Sequence, residues 1–355
     1  MSDPKWKGKI SHHAQLGGIE TAVIDNGPGR GVRIAWINTG TGLRYKVVID
    51  RAMDIMDAFY NQHNLSWLSC TGITPPAPFS DKGIEWLRTF GGGLITTCGL
   101  SHVGGPDKDA FGERSLHGRI SNAPAEIISI IQPDPAMGKL EMSITGIIRE
   151  ATALGPNLIL KRTISGVLGE AGIQVKDEVI NRGNTPMPHM LLYHMNFGWP
   201  IVDEGARIIW NGSWTSRDEK SSEIFREGND FYTCPPPLAS HAGTGEAAAY
   251  IDVAADADGT CTCGVYNPAL NMAVAIKFRK KELPWLTNWQ HWGEGEYIMG
   301  LEPGTNPPIG QKAAREQGTL RQLAPGEQCN YHLDIRILTD QQAINKFLND
   351  TTNVN

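Results

Sequence analysis

Forty glycines and twenty-two prolines cut this chain into short runs of β-branched and aliphatic residues, and that punctuation limits what it can fold into. An amphipathic helix needs apolar residues at 3.6-residue spacing over ten or more positions, and such periodicity is almost absent here. Strands are predicted over residues 33–37, 45–49, 140–148, 158–164, 173–180, 207–210 and 272–278. The runs 140–148 and 173–180 alternate apolar with polar side chains, as a sheet with one buried and one solvated face requires. Two helices are expected, at 81–90 behind an N-cap at Ser80 and at 340–348 behind an N-cap at Thr339, with a polar, frayed tail after Asn349. No period of 20 to 50 residues repeats, which disfavours a propeller or solenoid. The expected fold is all-β: one domain over residues 1–355, a large two-sheet β-sandwich with a few short helices.

Composition bounds the partners. Charged residues make up 20% of the 355, the net charge is −6, and no basic cluster occurs, which argues against a nucleic-acid surface and for a small-molecule partner. The start, Met1 to Lys9, has no apolar core of a signal peptide, and no run approaches the ~20 apolar residues that span a bilayer. A cytoplasmic protein is expected, with room for a homodimer. The six cysteines include no CxxC pair, so free thiols are expected, and Cys261 and Cys263 share one face of a strand, as core residues do.

Two segments far apart in sequence each place a titratable group at a predicted strand end. In Leu191 to Gly198, His194 and Asn196 face one way and Tyr193 and Met195 the other, so two polar groups converge on one face of an apolar strand. In Gly300 to Asn306, Glu302 closes an apolar strand before a Pro-Gly turn, a costly place for a carboxylate unless it is paired or used. An imidazole and a carboxylate around a small substrate suffice for general acid and base work near neutral pH. Taken alone, His194 is as readily a core histidine, and His117 and His102 loop residues without consequence, while a turn cap is the lesser reading of Glu302. Asn306 can serve the turn or a ligand. Arg51, in Asp50 to Ile55, could clamp a hydroxyl or carboxylate, or form a salt bridge. Trp289, among Trp285 and Trp292, suits the C–H face of a sugar ring or a core. Phosphate loops, GxGxxG helices, GxSxG elbows and HExxH are absent.

Five stretches make a resemblance recognisable: Asp50 to Ile55, Gly92 to Leu100, Leu116 to Ser121, Leu192 to Gly198 and Gly300 to Asn306. Together they resemble the galactose mutarotase-like superfamily of aldose 1-epimerases, and within it the branch catalogued as domain of unknown function 4432. The resemblance implies a β-supersandwich and interconversion of sugar anomers with neither metal nor organic cofactor. Glu302 then matches the general base, acting as carboxylate, and His194 matches the general acid, acting while protonated. His117 matches a histidine assisting near the ring oxygen, and Arg51, His102, Asn196, Trp289 and Asn306 are expected at the substrate. One departure stands out: Thr97-Cys98-Gly99-Leu100 replaces the epimerases' Asn-Arg pair, and their sugar-binding aspartate has no counterpart. Arg51, Arg88 and His102 are candidates to supply those contacts. Two other readings stay open: a metal-assisted sugar isomerase or lyase using His117, His194 and Glu302 as ligands, and a non-catalytic carbohydrate-binding protein.

Overall fold

The computed structural model describes residues 6–79 and 81–352. Antiparallel strands build three large sheets and a small ribbon. A five-stranded sheet runs in chain order through Gly18–Val23, Arg33–Asn38, Leu43–Val48, Asp54–Tyr60 and His63–Asn64. The eight-stranded sheet has the order Arg207–Ile209, Thr260–Asn267, Met272–Arg279, Gln328–Leu338, Gly172–Asn181, Asn157–Val167, Glu141–Ala151 and Ala125–Ile131. In the seven-stranded sheet Gly212–Ser216, Ala247–Val253, Trp285–Gly293, Glu296–Gly304, Met187–Phe197 and Arg321–Leu323 lie side by side, and Thr96–Leu100 also pairs with Met187–Phe197. The predicted all-β architecture is therefore present, with a third, N-terminal sheet added to the expected two.

Local pattern explains most of these strands. In Asn157–Val167 every second residue is buried, so Leu158, Leu160, Arg162 and Ile164 face inward while Lys161 is exposed. Met187–Phe197 behaves differently, being buried at every position from His189 onward. Both of its faces are covered: Leu191, Tyr193, Met195 and Phe197 enter the main apolar core, while Met190 and Leu192 join a second cluster with Trp86, Phe90, Cys98 and Val103. Five cysteines are buried and all six are free thiols, and Cys261 and Cys263 both point into the main core.

Arg162 carries a full charge into that core. Its guanidinium donates to Asp177 (Nη2 to Oδ2, 2.6 Å) in the neighbouring strand, to Asp54 Oδ1 at 3.1 Å, to Thr97 Oγ1 at 2.8 Å and to the Ala52 carbonyl at 3.0 Å. Tyr193 donates its hydroxyl to Asp177 Oδ2 at 2.7 Å. One side chain thus ties all three sheets together. The two flanking carboxylates hold the Arg162 guanidinium charged against the cost of burial.

Both helix expectations need correction. Over residues 81–90 only the 3-10 turn Glu85–Arg88 forms, because Gly83 adopts a left-handed φ of 50° and interrupts the helix before it can propagate; the expected cap, Ser80, lies outside the described residues. The C-terminal helix is Gln341–Thr352, capped by Asp340, whose Oδ1 accepts from the amides of Gln342 and Ala343 at 3.0 Å each, rather than by Thr339. It continues past the expected fraying point because Ile344 and Phe347 pack on Ile209, Ala273 and Ala275 and Thr351 is buried; the last three residues of the predicted tail lie outside the described residues. Among the described residues no helix is long and apolar enough to cross a membrane.

Removing Arg162 would leave Asp177 and Asp54 buried and uncompensated, so Arg162→Ala is expected to destabilise the fold by about 3–5 kcal/mol at pH 7. The deficit should shrink at pH 5, where the orphaned carboxylates can take up protons. Urea midpoints at the two pH values check this, and a loss under about 1 kcal/mol at pH 7 would show that the cluster does not fasten the sheets.

Candidate active site

Strand register assembles the site. Met187–Phe197 pairs with Glu296–Gly304 so that Met195 lies opposite Leu301 and Asn196 opposite Gly300, which sets His194 beside Glu302 on the same face. Their side chains approach to 3.4 Å, Nε2 to Oε1. The next strand places Thr287 opposite Glu302 and Trp289 opposite Gly300, and Ala247–Val253 adds Tyr250 and Ala248. Gly300 is required by closeness: a Cβ there would stand 2.8 Å from Glu302 Oε1 and 3.2 Å from the Trp289 ring.

His117 reaches this row from an opposing loop, held at a left-handed φ of 56° by its amide, which donates to the Gly104 carbonyl at 2.9 Å. Its ring meets that of His194 edge-on with centroids 5.6 Å apart. Trp86 lies 4.9 Å from His117, and Phe90 and Trp289 lie 5.2 and 5.3 Å from His194. These groups border a cavity of about 580 Å³, within the roughly 300–1,000 Å³ common to small-molecule sites. Glu302 Oε1 and His117 Nδ1 are buried without a hydrogen-bond partner, an arrangement that costs about 1–3 kcal/mol per group.

Burial sets the protonation. It raises the Glu302 carboxyl well above the ordinary range, with Glu246 adding to the rise and Arg217 opposing it. Burial also lowers His194 to about 4, opposed by the Asn196 amide and Glu246, and lowers His117 well below its usual value, helped by the nearby His194 and His102 rings. Both shifts run against the expected carboxylate and imidazolium, because a buried cavity penalises two separated charges.

Of the residues expected at the substrate, Trp289 borders the cavity together with Glu302, His194 and His117, while Arg51, His102, Asn196 and Asn306 do not. Arg51 spends its guanidinium on the Ser121 and Thr89 carbonyls and on Thr74 Oγ1. His102 Nδ1 accepts from the Gln311 amide at 3.1 Å, so its Nε2 carries the proton and donates to Gly105 O at 2.9 Å. Asn196 donates to the Gly93 and His194 carbonyls, and Asn306 to the Thr319 carbonyl. Arg88 is exposed and away from the cavity.

Sequence reasoning passed over Arg217, Glu246, Tyr250, His291 and Glu296, all of which border the cavity. His291 was findable, since it stands two residues after Trp289 on the same strand face. Arg217 and Glu246 carry no local signal; they flank different strands and meet only when Gly212–Ser216 pairs with Ala247–Val253. Their ion pair is 2.6 Å long, and Trp289 Nε1 donates to Glu246 at 2.7 Å. Among the described residues no group of three or more His, Cys, Asp or Glu side chains is disposed to hold a metal ion.

Residues 29–337 match the family profile described as Domain of unknown function (DUF4432). The chain belongs to this DUF4432 family. Among solved structures it is similar to a candidate aldose 1-epimerase of Klebsiella pneumoniae, with a TM-score of 0.85, 24% identity, and coverage of 96% of this chain and 90% of that one. A galactose mutarotase-like protein of Clostridium acetobutylicum follows at a TM-score of 0.63, 13% identity and coverage of 91% and 99%. A candidate mutarotase of Salmonella typhimurium has a TM-score of 0.59, 10% identity and coverage of 91% and 94%. At these identities the likeness is one of fold. No curated protein matches the DUF4432 chain.

A carboxyl whose folded pKa is raised contributes stability that is present below its ordinary value and is lost as pH rises through the folded one. Glu302→Gln removes that loss, so its melting temperature relative to wild type should climb between pH 5 and pH 8. A difference that does not change with pH in paired thermal melts would mean that Glu302 ionises freely.

Proposed function

We propose that this DUF4432 protein is an aldose 1-epimerase-like isomerase that interconverts the anomers of a sugar by general acid and base catalysis. The observation carrying this reading is the buried His194–Glu302 pair, 3.4 Å apart, on the floor of an aromatic-walled cavity. Ring opening removes the proton from the anomeric hydroxyl, breaks the bond from the anomeric carbon to the ring oxygen, forms the carbonyl, and delivers one proton to the ring oxygen. Those two oxygens share a carbon, so groups as close as His194 and Glu302 serve both. With the proton resting on Glu302, its carboxyl donates to the ring oxygen while His194 Nε2 accepts from the hydroxyl. Closure on the other face reverses the transfers and returns the pair to its starting state. His117, neutral and edge-on to His194, is placed to accept or donate a hydrogen bond beside the ring oxygen. Trp86, Phe90 and Trp289 suit the C–H faces of the ring and keep water out.

The competent state holds one proton on the pair, so kcat/KM should be bell-shaped in pH with limbs belonging to the pair. Because His194 is lowered to about 4 and Glu302 is raised, the acid limb should fall near 4, and the profile should show no inflection at the ordinary imidazole value of ~6.5. NMR exchange between anomers measures this directly. Glu302→Gln should lose about 10²- to 10⁴-fold; near wild-type exchange in that variant, with a sugar shown to bind, would end the acid–base reading.

Gly300→Ala offers a second check that leaves both titrating groups in place. Its methyl must push the Glu302 carboxyl or the Trp289 ring aside, and a displacement near 1 Å costs on the order of 100-fold in rate. Exchange within threefold of wild type would mean that the position of the carboxyl does not matter.

A further inference from the structure

The cavity is longer than the acid–base pair needs. It follows the strands Trp285–Gly293 and Glu296–Gly304 away from Glu302, past Trp289, to His291, Ile298 and Glu296. At about 3.3 Å per residue, the row containing Ile298 lies roughly 13 Å from the row containing Glu302. A single pyranose with its anomeric carbon at Glu302 covers Trp289 and stops short of that row.

The far half is built for hydroxyl groups. His291 is buried, and its Nδ1 must carry a proton because it faces the Gly245 carbonyl, which can only accept. That leaves Nε2 buried in the cavity wall without a hydrogen bond, 3.5 Å from Glu296 Oε2. Glu246 stands beside it, its carboxylate already shared between Arg217 and the Trp289 indole. Arg217 is the cation of this wall, and it is committed to Glu246 and Asp218. Counting one positive group against Glu246 and Glu296, the far half is net acidic. It would repel a phosphate or a carboxylate and would accept hydrogen bonds from hydroxyls.

We propose that Glu246, His291 and Glu296 form a second sugar subsite, so that the substrate is a reducing disaccharide or longer oligosaccharide of uncharged units. This rests on the mutarotase reading for the placement of the reducing end at Glu302. A 1,4 linkage leaves the first ring from the side opposite its anomeric carbon, and so carries the second ring along the trench toward His291.

The test compares anomer exchange of glucose, maltose, cellobiose and glucose 6-phosphate, using the full-length protein and its His291→Leu and Glu296→Ala variants. At least one disaccharide should exceed glucose tenfold or more in kcat/KM, glucose 6-phosphate should fall below glucose, and the disaccharide-to-glucose ratio should drop at least tenfold in either variant. A ratio that stays the same in both variants, or glucose turning over as well as both disaccharides, overturns the subsite. Binding is read separately by saturation-transfer NMR on Glu302→Gln. A disaccharide that binds there more tightly than glucose, yet is not exchanged by the wild type, supports the subsite and sinks the mutarotase reading. Glucose binding as tightly as either disaccharide, or no disaccharide binding, overturns the subsite.

Discussion

The Arg162 cluster is the constraint on which the rest of this structure depends. Asp177, Asp54, Thr97 and the Ala52 carbonyl converge on one guanidinium, and those partners come from strands or turns of three different sheets. Burying such a charge costs several kcal/mol, which only this full set of partners offsets. The geometry is therefore specific. Tyr193, held to Asp177, fixes which face of Met187–Phe197 enters the core, and the strand's period of two then turns His194 the other way, into the cavity. A one-residue slip would turn the imidazole into the main core and the phenol toward the cavity.

The same desolvation that makes the cluster costly sets the chemistry of the site. Arg162 meets full compensation and stays charged, whereas Glu302 and His194 meet each other at 3.4 Å with Glu302 Oε1 and His194 Nδ1 unpartnered, and burial shifts both toward their neutral forms. One proton shared by two groups of displaced pKa is a poised arrangement, since small shifts in substrate charge decide where the proton goes. A solvated pair would hold its charges apart and transfer the proton against water's competition.

The motif Asp50 to Ile55 shows how a strong sequence signal can mislead about role. Its residues resemble a substrate clamp, yet Asp50 binds Arg33, Arg51 binds loop carbonyls and Asp54 binds Arg162. Every charged group is spent on internal contacts, and Asp54 joins the N-terminal sheet to the other two through Arg162 and Thr97. The site's real charged wall, Arg217 with Glu246, carried no motif, because each residue sits at the end of a short strand among ordinary surface polar residues.

What the sequence determined by itself was whatever depends on neighbours in the chain. Glycine and proline spacing with alternating burial specified the strands, and the period of two put His194 and Asn196 on the face opposite Tyr193 and Met195. The resemblance carried by the dispersed motifs picked out His117, His194 and Glu302, which the fold brings to one cavity. Tertiary structure decided the rest. Whether Asn196, His102, Asn306 and Arg51 face a ligand or a backbone carbonyl depends on which loops pack against them. The upward shift of the Glu302 carboxyl depends on how deeply the fold buries it, and the partners Arg217, Glu246 and His291 depend on strand register. Desolvation and cross-strand contact are properties of distance in space, and a chain read residue by residue encodes them only through the fold.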